Sequence, residues 1–325
     1  MHIPDNYLSP QTCAVAAVAM VPVWAVSIHK VHQDLPKEKI SYLGVAAAFS
    51  FLAMMFNVPM PGGTTGHAVG GTLIAVLFGP YAACIAVSTA LLLQALLFGD
   101  GGILAFGANC FNMAFVLPFA GYAVYTLFRK ILKKKNGDVI AAGVGSYVGL
   151  NAAALCAAIE FGIQPLLFRD GAGNAMYCPY GLNVSIPAMM AGHLTIFGAA
   201  EVIFAVAVLA FVKKAEPSLL TEKTNSGTSK PLGILLMGLM LATPLGLLAE
   251  GTAWGEWDAG EVASMSGYTP SGMKNGFSWQ ALLPDYSLNG MPAWMAYVLS
   301  AVIGVSLLII VFRLLSSMER KKAEA

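Results

Sequence analysis

Charge is scarce in this chain. Only 11% of its 325 residues are Asp, Glu, Lys or Arg, less than half of the roughly 25% usual in soluble domains, while 57% are hydrophobic. So much apolar surface with so little charge excludes a soluble domain and implies a bilayer as solvent. No stripe of Lys and Arg with interleaved aromatics is present, which removes nucleic acid as a partner. The five cysteines, Cys13, Cys84, Cys110, Cys156 and Cys178, form no C-x-x-C pair, so packing is their expected role rather than zinc or redox chemistry. No Lys or Arg precedes Lys30, so the first apolar run lacks the charged front of a signal peptide and reads as a retained helix. The G-G-T-T-G-H stretch ending at His67 lacks the Lys of G-x-x-x-x-G-K-[ST], so the chain should not bind ATP. No H-E-x-x-H marks an intramembrane metalloprotease.

What is present is a series of apolar segments at 11–28, 41–58, 67–79, 81–98, 104–128, 139–163, 184–212, 231–249 and 292–314. Each is long enough, or nearly so, to cross a membrane as a helix. Of the 18 Lys and Arg residues, all but Arg169 and Lys274 fall in four groups, at 30–39, 129–135, 213–230 and 313–322. The positive-inside rule makes these four groups cytoplasmic. An even number of crossings must separate the first two, which requires a break at Gly79-Pro80. The N-terminus and the loop 59–66 then lie outside, the C-terminus lies inside, and Met1 and His67 share one membrane face. The stretch 213–230, rich in charge, Ser, Thr and Gly, reads as a cytoplasmic linker. The expected fold is all-α and integral to the membrane. A seven-helix domain spans 1–212, and a two-helix module spans 231–325 with an outside loop at 250–290 carrying W-G-E-W at 254–257.

The opening Met1-His2-Ile3-Pro4-Asp5 has metal chemistry in it. A terminal amine, the amide nitrogen of His2 and its Nδ1 can close a five-membered and then a six-membered chelate ring around one ion. A second-position His is too bulky for ready trimming of Met1, so the amine is expected to be that of Met1 itself. Deprotonating an amide suits a strongly bound divalent ion of square-planar preference, chiefly Ni(II) or Cu(II), with Co(II) behind them. His67 could add a fourth nitrogen. It ends a stretch whose prolines and glycines mark irregular backbone, tolerated at membrane depth where it lines a cavity. The alternative is that His2 falls there by chance and His67 caps a helix.

Within the apolar segments the polar residues are Gln94, Asn109, Asn112, Asn151, Glu160, His193 and Glu201. Ionisable groups at such depth suggest function. Glu160, His193 and Glu201 would suit a proton-coupled secondary transporter, with structural hydrogen bonding as the other role. His193 and Glu201 are about 80° apart on a helix, which argues against a direct pair. His29 and His32 read as a solvated cytoplasmic end. Glu250, Glu256, Asp258, Glu261 and Asp285 could concentrate cations weakly, but a wet outer surface explains them equally well and they are assigned no site. Gly66-x-x-x-Gly70 and Gly145-x-x-x-Gly149 read as close-packing stripes.

Four stretches together resemble a known family: M-H-I-P-D with L-S-P at 8–10, N-V-P-M-P-G-G-T-T-G-H at 57–67, G-A-N-C-F-N-M at 107–113, and A-G-H-L-T-I-F-G-A-A-E at 191–201. The chain resembles the substrate-binding membrane component of energy-coupling-factor transporters for nickel and cobalt, the CbiM/NikM type. Residues 231–325, with T-A-W-G-E-W at 252–257 and L-P-D-Y at 283–286, resemble the accessory two-helix component of such systems, here fused. The resemblance implies Ni(II) or Co(II) as transported cargo with no permanent cofactor. The metal would be held in a square plane by the amine of Met1, the amide and imidazole of His2, and His67. Asn57, Gly66, Asn109, Asn112, His193 and Glu201 would support it. The implied partners are a transmembrane coupling subunit and two ATPase subunits, in the lipid of a bacterial or archaeal cell membrane, so the chain would not itself be an enzyme. The family opening is M-H-I-P-D-G; Asn6 departs from it and could alter the turn that delivers the ligands.

Overall fold

In hydrocarbon every backbone polar group must be satisfied within the protein, and uncharged runs of Ala, Leu, Val and Ile therefore close into helices. The computed structural model describes residues 1–133, 136–220 and 229–324; Lys134, Lys135, Lys223 and the middle of the 213–230 linker lie outside them. Among the described residues, seven stretches are long and apolar enough to cross a membrane: Pro10–Asp34, Pro80–Phe98, Phe106–Ile131, Gly137–Leu167, Leu182–Ala215, Lys230–Leu248 and Ala293–Met318. A shorter apolar helix, Lys39–Met55, joins them. The chain is an all-α, multi-pass membrane protein.

Helix α1 (Pro10–Asp34) opens on Ser9, whose hydroxyl accepts from Thr12 N at 3.0 Å as an N-cap. After α2 (Lys37–Met55) the chain makes a small antiparallel hairpin, β1 (Val58–Met60) and β2 (Thr64–Gly66). It runs without helix to Gly70 and only then forms α3 (Gly71–Phe78), which has 8 residues. The expected segment at 67–79 is thus half a helix. At about 1.5 Å per residue α3 is too short to span, and the stretch before it is not helical. Gly66 and Gly70 lie in that stretch, so their spacing is no helix-packing stripe. The break at Gly79-Pro80 is real: Gly79 has φ 89, and Pro80 opens α4 (Pro80–Leu93).

Three π-helical turns follow, at Gln94–Phe98, Cys110–Val116 and His193–Phe197. Each carries one of the buried polar residues Gln94, Asn112 and His193, as such turns often do near functional positions. Around them lie α5 (Phe106–Asn109), α6 (Leu117–Ile131), α7 (Gly137–Leu167), α8 (Leu182–Gly192) and α9 (Gly198–Ala215). Gly145 and Gly149 bring α7 against α6 so closely that a Cβ on Gly149 would sit 2.5 Å from the Leu117 carbonyl oxygen.

In the last third, α10 (Lys230–Ala242) and α13 (Ala293–Glu324) both pack on α2. Between them the long loop carries α11 (Ala259–Ser266) and α12 (Ser271–Lys274). The basic groups gather at one end of the bundle. Lys39 donates to the Leu219 carbonyl at 3.1 Å, Lys213 pairs with Asp138 at 2.5 Å, and Tyr42, Val212, Leu219 and Leu232 cluster beside them. The N-terminus, His67 and the long loop meet at the opposite end.

Candidate metal centre

The first residues are threaded into the bundle. Met1, His2 and Ile3 are 4%, 2% and 0% exposed, which places a chain end where loops usually hold core. Backbone groups buried this way need partners, and the bundle supplies them. Ile3 N–H donates to Asn109 Oδ1 at 2.8 Å, and Asn109 Nδ2 donates back to the Ile3 carbonyl at 3.0 Å. Gly102 N donates to the same carbonyl at 2.8 Å. Asp5 accepts from the backbone of Leu104 and Ile103 at 2.8 and 3.1 Å, and Ser9 N donates to Gln164 at 3.0 Å. Gly102 has to be glycine, because a Cβ there would meet Asp5 at 2.4 Å. Asn6 adopts φ 68, the left-handed region that Asn tolerates better than most residues, so it makes the turn a Gly would make. Its carboxamide also exchanges hydrogen bonds with Phe277 at 2.8 and 2.9 Å.

This threading aims Met1 and His2 at His67. The two imidazole rings lie 4.9 Å apart between centroids, tilted by 33°. His67 Nδ1 is 3.2 Å from the Ala68 carbonyl, which assigns that nitrogen as donor and leaves the Nε2 lone pair free. The Nε2 atoms of both histidines are buried with no hydrogen-bond partner. Both histidines line a cavity of about 370 Å³ together with Asn57, Asp100, Glu256 and Tyr286.

Two carboxylates face the N-terminal donors. The Met1 amine is 2.8 Å from Glu256 Oε1, and His2 Nδ1 is 2.7 Å from Asp100 Oδ1. Burial alone would raise the Asp100 pKa, but the His2 ring outweighs it by charge and hydrogen bond, and the carboxyl sits below the usual range. Nδ1 is the nitrogen that a chelate ring from the amine would use, so a metal bound there would replace the Asp100 contact. Among the described residues no three His, Cys, Asp or Glu side chains form a ready-made cage. The nitrogens gathered here are of mixed origin: an amine, a peptide amide and two imidazoles.

The supporting residues have separate places. Asn109 clamps Ile3, as above. Glu201 accepts from Val69 N at 2.7 Å and Gly70 N at 3.0 Å, anchoring the backbone just after His67. Gly66 lies against the Phe197 ring, which would be 2.7 Å from a Cβ. His193 gives Nδ1 to the Met189 carbonyl at 2.8 Å and lines a small cavity beside Met1. Asn112 donates to Glu160 at 2.8 Å, away from the N-terminal donors. Glu160, His193 and Glu201 therefore have three different partners, and none of the three bonds directly to another. Sequence reasoning missed Asp100 altogether and read Glu256 as wet surface. The available signals were the G-D-G-G break at 99–102 and the two Trp residues flanking Glu256.

The fold is that of a multi-pass membrane protein with irregular backbone and buried imidazoles gathered at one end. The model of the cobalt uptake substrate-specific transmembrane region matches residues 2–219, and that of the PDGLE domain matches residues 229–321. The chain belongs to this cobalt uptake family, with a PDGLE domain following. It is 50% identical over 321 residues to a probable fused nickel transport protein, LarMN, of Lactiplantibacillus plantarum, covering 96% of this chain and 97% of the relative. It is 48% identical over 334 residues to the fused nickel transport protein NikMN of Rhodobacter capsulatus, covering 95% of each. A crystal structure described as a truncated transition metal transporter superposes with a TM-score of 0.63 at 53% identity, over 66% of this chain and 99% of that one.

Proposed function

We propose that the chain captures Ni(II) or Co(II) at the end of the bundle that holds its N-terminus and releases it toward the basic end. The ligands are the Met1 amine, the amide and imidazole of His2, and His67. The observation that carries this reading is the convergence of a buried chain terminus and the His2 ring on His67, whose Nε2 has no partner. The nickel and cobalt transport functions of the relatives support the choice of ions. The Irving–Williams order and the planar preference favour Ni(II) over Co(II), and copper would bind more tightly still, so supply decides in the cell.

In this reading the chain is the substrate-capture component of an ATP-driven energy-coupling-factor importer. A transmembrane coupling subunit and two ATPase subunits supply the energy, and this chain catalyses nothing. It lies in the cell membrane with the N-terminus outside and the C-terminus cytoplasmic, and divides into the metal-binding domain 1–212, the linker 213–230 and the accessory module 231–325. A proton-coupled alternative through Glu160, His193 and Glu201 has less support, since each group bonds elsewhere and none bonds directly to another.

The direct test is metal content of the purified protein: the native chain, His2→Ala, His67→Ala, and a form extended by one residue before Met1. All three altered forms should lose Ni(II) and Co(II). Normal binding by the extended form would remove the terminal amine from the ligand set. Uptake that persists in cells depleted of ATP but retaining a proton gradient would contradict the importer reading.

A further inference from the structure

The last third of the chain supplies none of the nitrogen donors, yet it grips both N-terminal ones. Glu256 Oε1 lies 2.8 Å from the Met1 amine. Tyr286 donates its hydroxyl to Asp100 Oδ2 at 2.5 Å and accepts from Gln94 Nε2 at 2.9 Å, while the other Asp100 oxygen faces His2 Nδ1.

Both side chains are held in place by built features. Glu256 stands between Trp254 and Trp257, whose rings are 5.6 Å apart and lie 5.8 and 5.9 Å from Tyr180. Gly255, at φ 84, passes Phe161 so closely that a Cβ would be 2.8 Å from the ring. The Tyr286 ring stacks on Phe98 at 4.7 Å. Asp285 and Tyr286 have φ 52 and 58, a backbone that residues other than glycine keep only when their surroundings enforce it.

We propose that Glu256 and Tyr286 are positioning residues of the N-terminal metal site, through which the C-terminal module sets how tightly the metal is held. Glu256 draws the Met1 amine into the cavity. Tyr286 aligns Asp100, and Asp100 holds the metal-free His2 ring with Nδ1 turned into the cavity, giving that atom up when the ion arrives. Partners of this kind, one layer out from the ligands, fix ligand orientation and basicity. The inference rests on the metal-capture reading above.

The test is Ni(II) titration of the full-length purified chain, with the ligand-field absorption band and the metal-free melting temperature recorded for each variant. Tyr286→Phe and Glu256→Gln should each weaken Ni(II) binding by roughly 10- to 100-fold. They should keep the native absorption band, because the donor atoms are unchanged, even where the stranded partners lower the metal-free melting temperature. His2→Ala should lose the band. Tyr268→Phe, which removes a loop hydroxyl 3.4 Å from the Ala175 carbonyl, should match the native chain. If His2→Ala binds Ni(II) normally, the metal-capture reading fails. If His2→Ala fails to bind but Tyr286→Phe and Glu256→Gln bind as the native chain does, or lose only melting temperature, the positioning role fails. Should Tyr286→Phe not fold, the isosteric Glu256→Gln decides alone.

Discussion

Asn109 and Ile3 hold each other through two hydrogen bonds, the side-chain oxygen accepting from the peptide N–H at 2.8 Å and the side-chain nitrogen donating to the peptide carbonyl at 3.0 Å. The Ile3 carbonyl has a second donor in Gly102, but its N–H has only Asn109. Asn109→Ala should therefore strand one buried donor and cost about 1–3 kcal/mol of stability. Metal occupancy should fall with it, since Ile3 sets the direction of Met1-His2. Denaturant unfolding and metal analysis on the same sample check both. A variant with native stability and full occupancy would show that the clamp is redundant.

Glu201 does for His67 what Asn109 does for His2. Glu201→Ala removes the acceptor from both Val69 and Gly70 and should cost about 1–3 kcal/mol for each stranded N–H. Glu201→Gln keeps one accepting oxygen and should cost less. Ni(II) affinity should fall in the same order, native above Gln above Ala. A reversed order would mean that the carboxylate charge, not its anchoring of the 67–70 backbone, matters to the site.

Metal capture by an amine and a deprotonated amide exchanges one divalent ion for protons. Where the amine starts protonated and paired with Glu256, binding should release about two protons per ion, one from each nitrogen. Calorimetric titration in buffers of different ionisation enthalpy measures that number directly. Release of none would exclude the amide nitrogen as a ligand.

Glycines separate into those with neighbours and those without. A Cβ on Gly149 would collide with the Leu117 carbonyl, whereas one on Gly233 in α10 would meet nothing within 4 Å. Gly149→Ala should destabilise the bundle by about 1–3 kcal/mol, as overpacking does. Gly233→Ala should leave stability near the native value. Equal effects in an unfolding assay would contradict the α6–α7 approach.

Much of this architecture can be read from the sequence. Apolar length locates the spanning helices, and the crowding of Lys and Arg demands the Gly79-Pro80 break that the structure contains. The half-helix there is not legible, because hydropathy reports apolar content and is silent on whether the backbone before Gly71 is coiled or extended. The π-helical turns at Gln94, Asn112 and His193 are hidden for a similar reason: one extra residue per turn leaves the apolar pattern intact. At the N-terminus, His2 and His67 can be singled out by chelate chemistry. Asp100 and Glu256 cannot, since an acidic residue in a loop normally faces water and only the folded chain reveals which cation it meets. Glu256 and Met1 are 255 positions apart, a separation that no local pattern encodes.

The short helix α3 also bears on how the chain enters its membrane. The amides of Val69 and Gly70 have their acceptor in Glu201, which lies 132 and 131 positions further along. Backbone without a partner is not stable in hydrocarbon. The hydrogen bonds that hold the stretch ahead of α3 can therefore form only after α9 has been made.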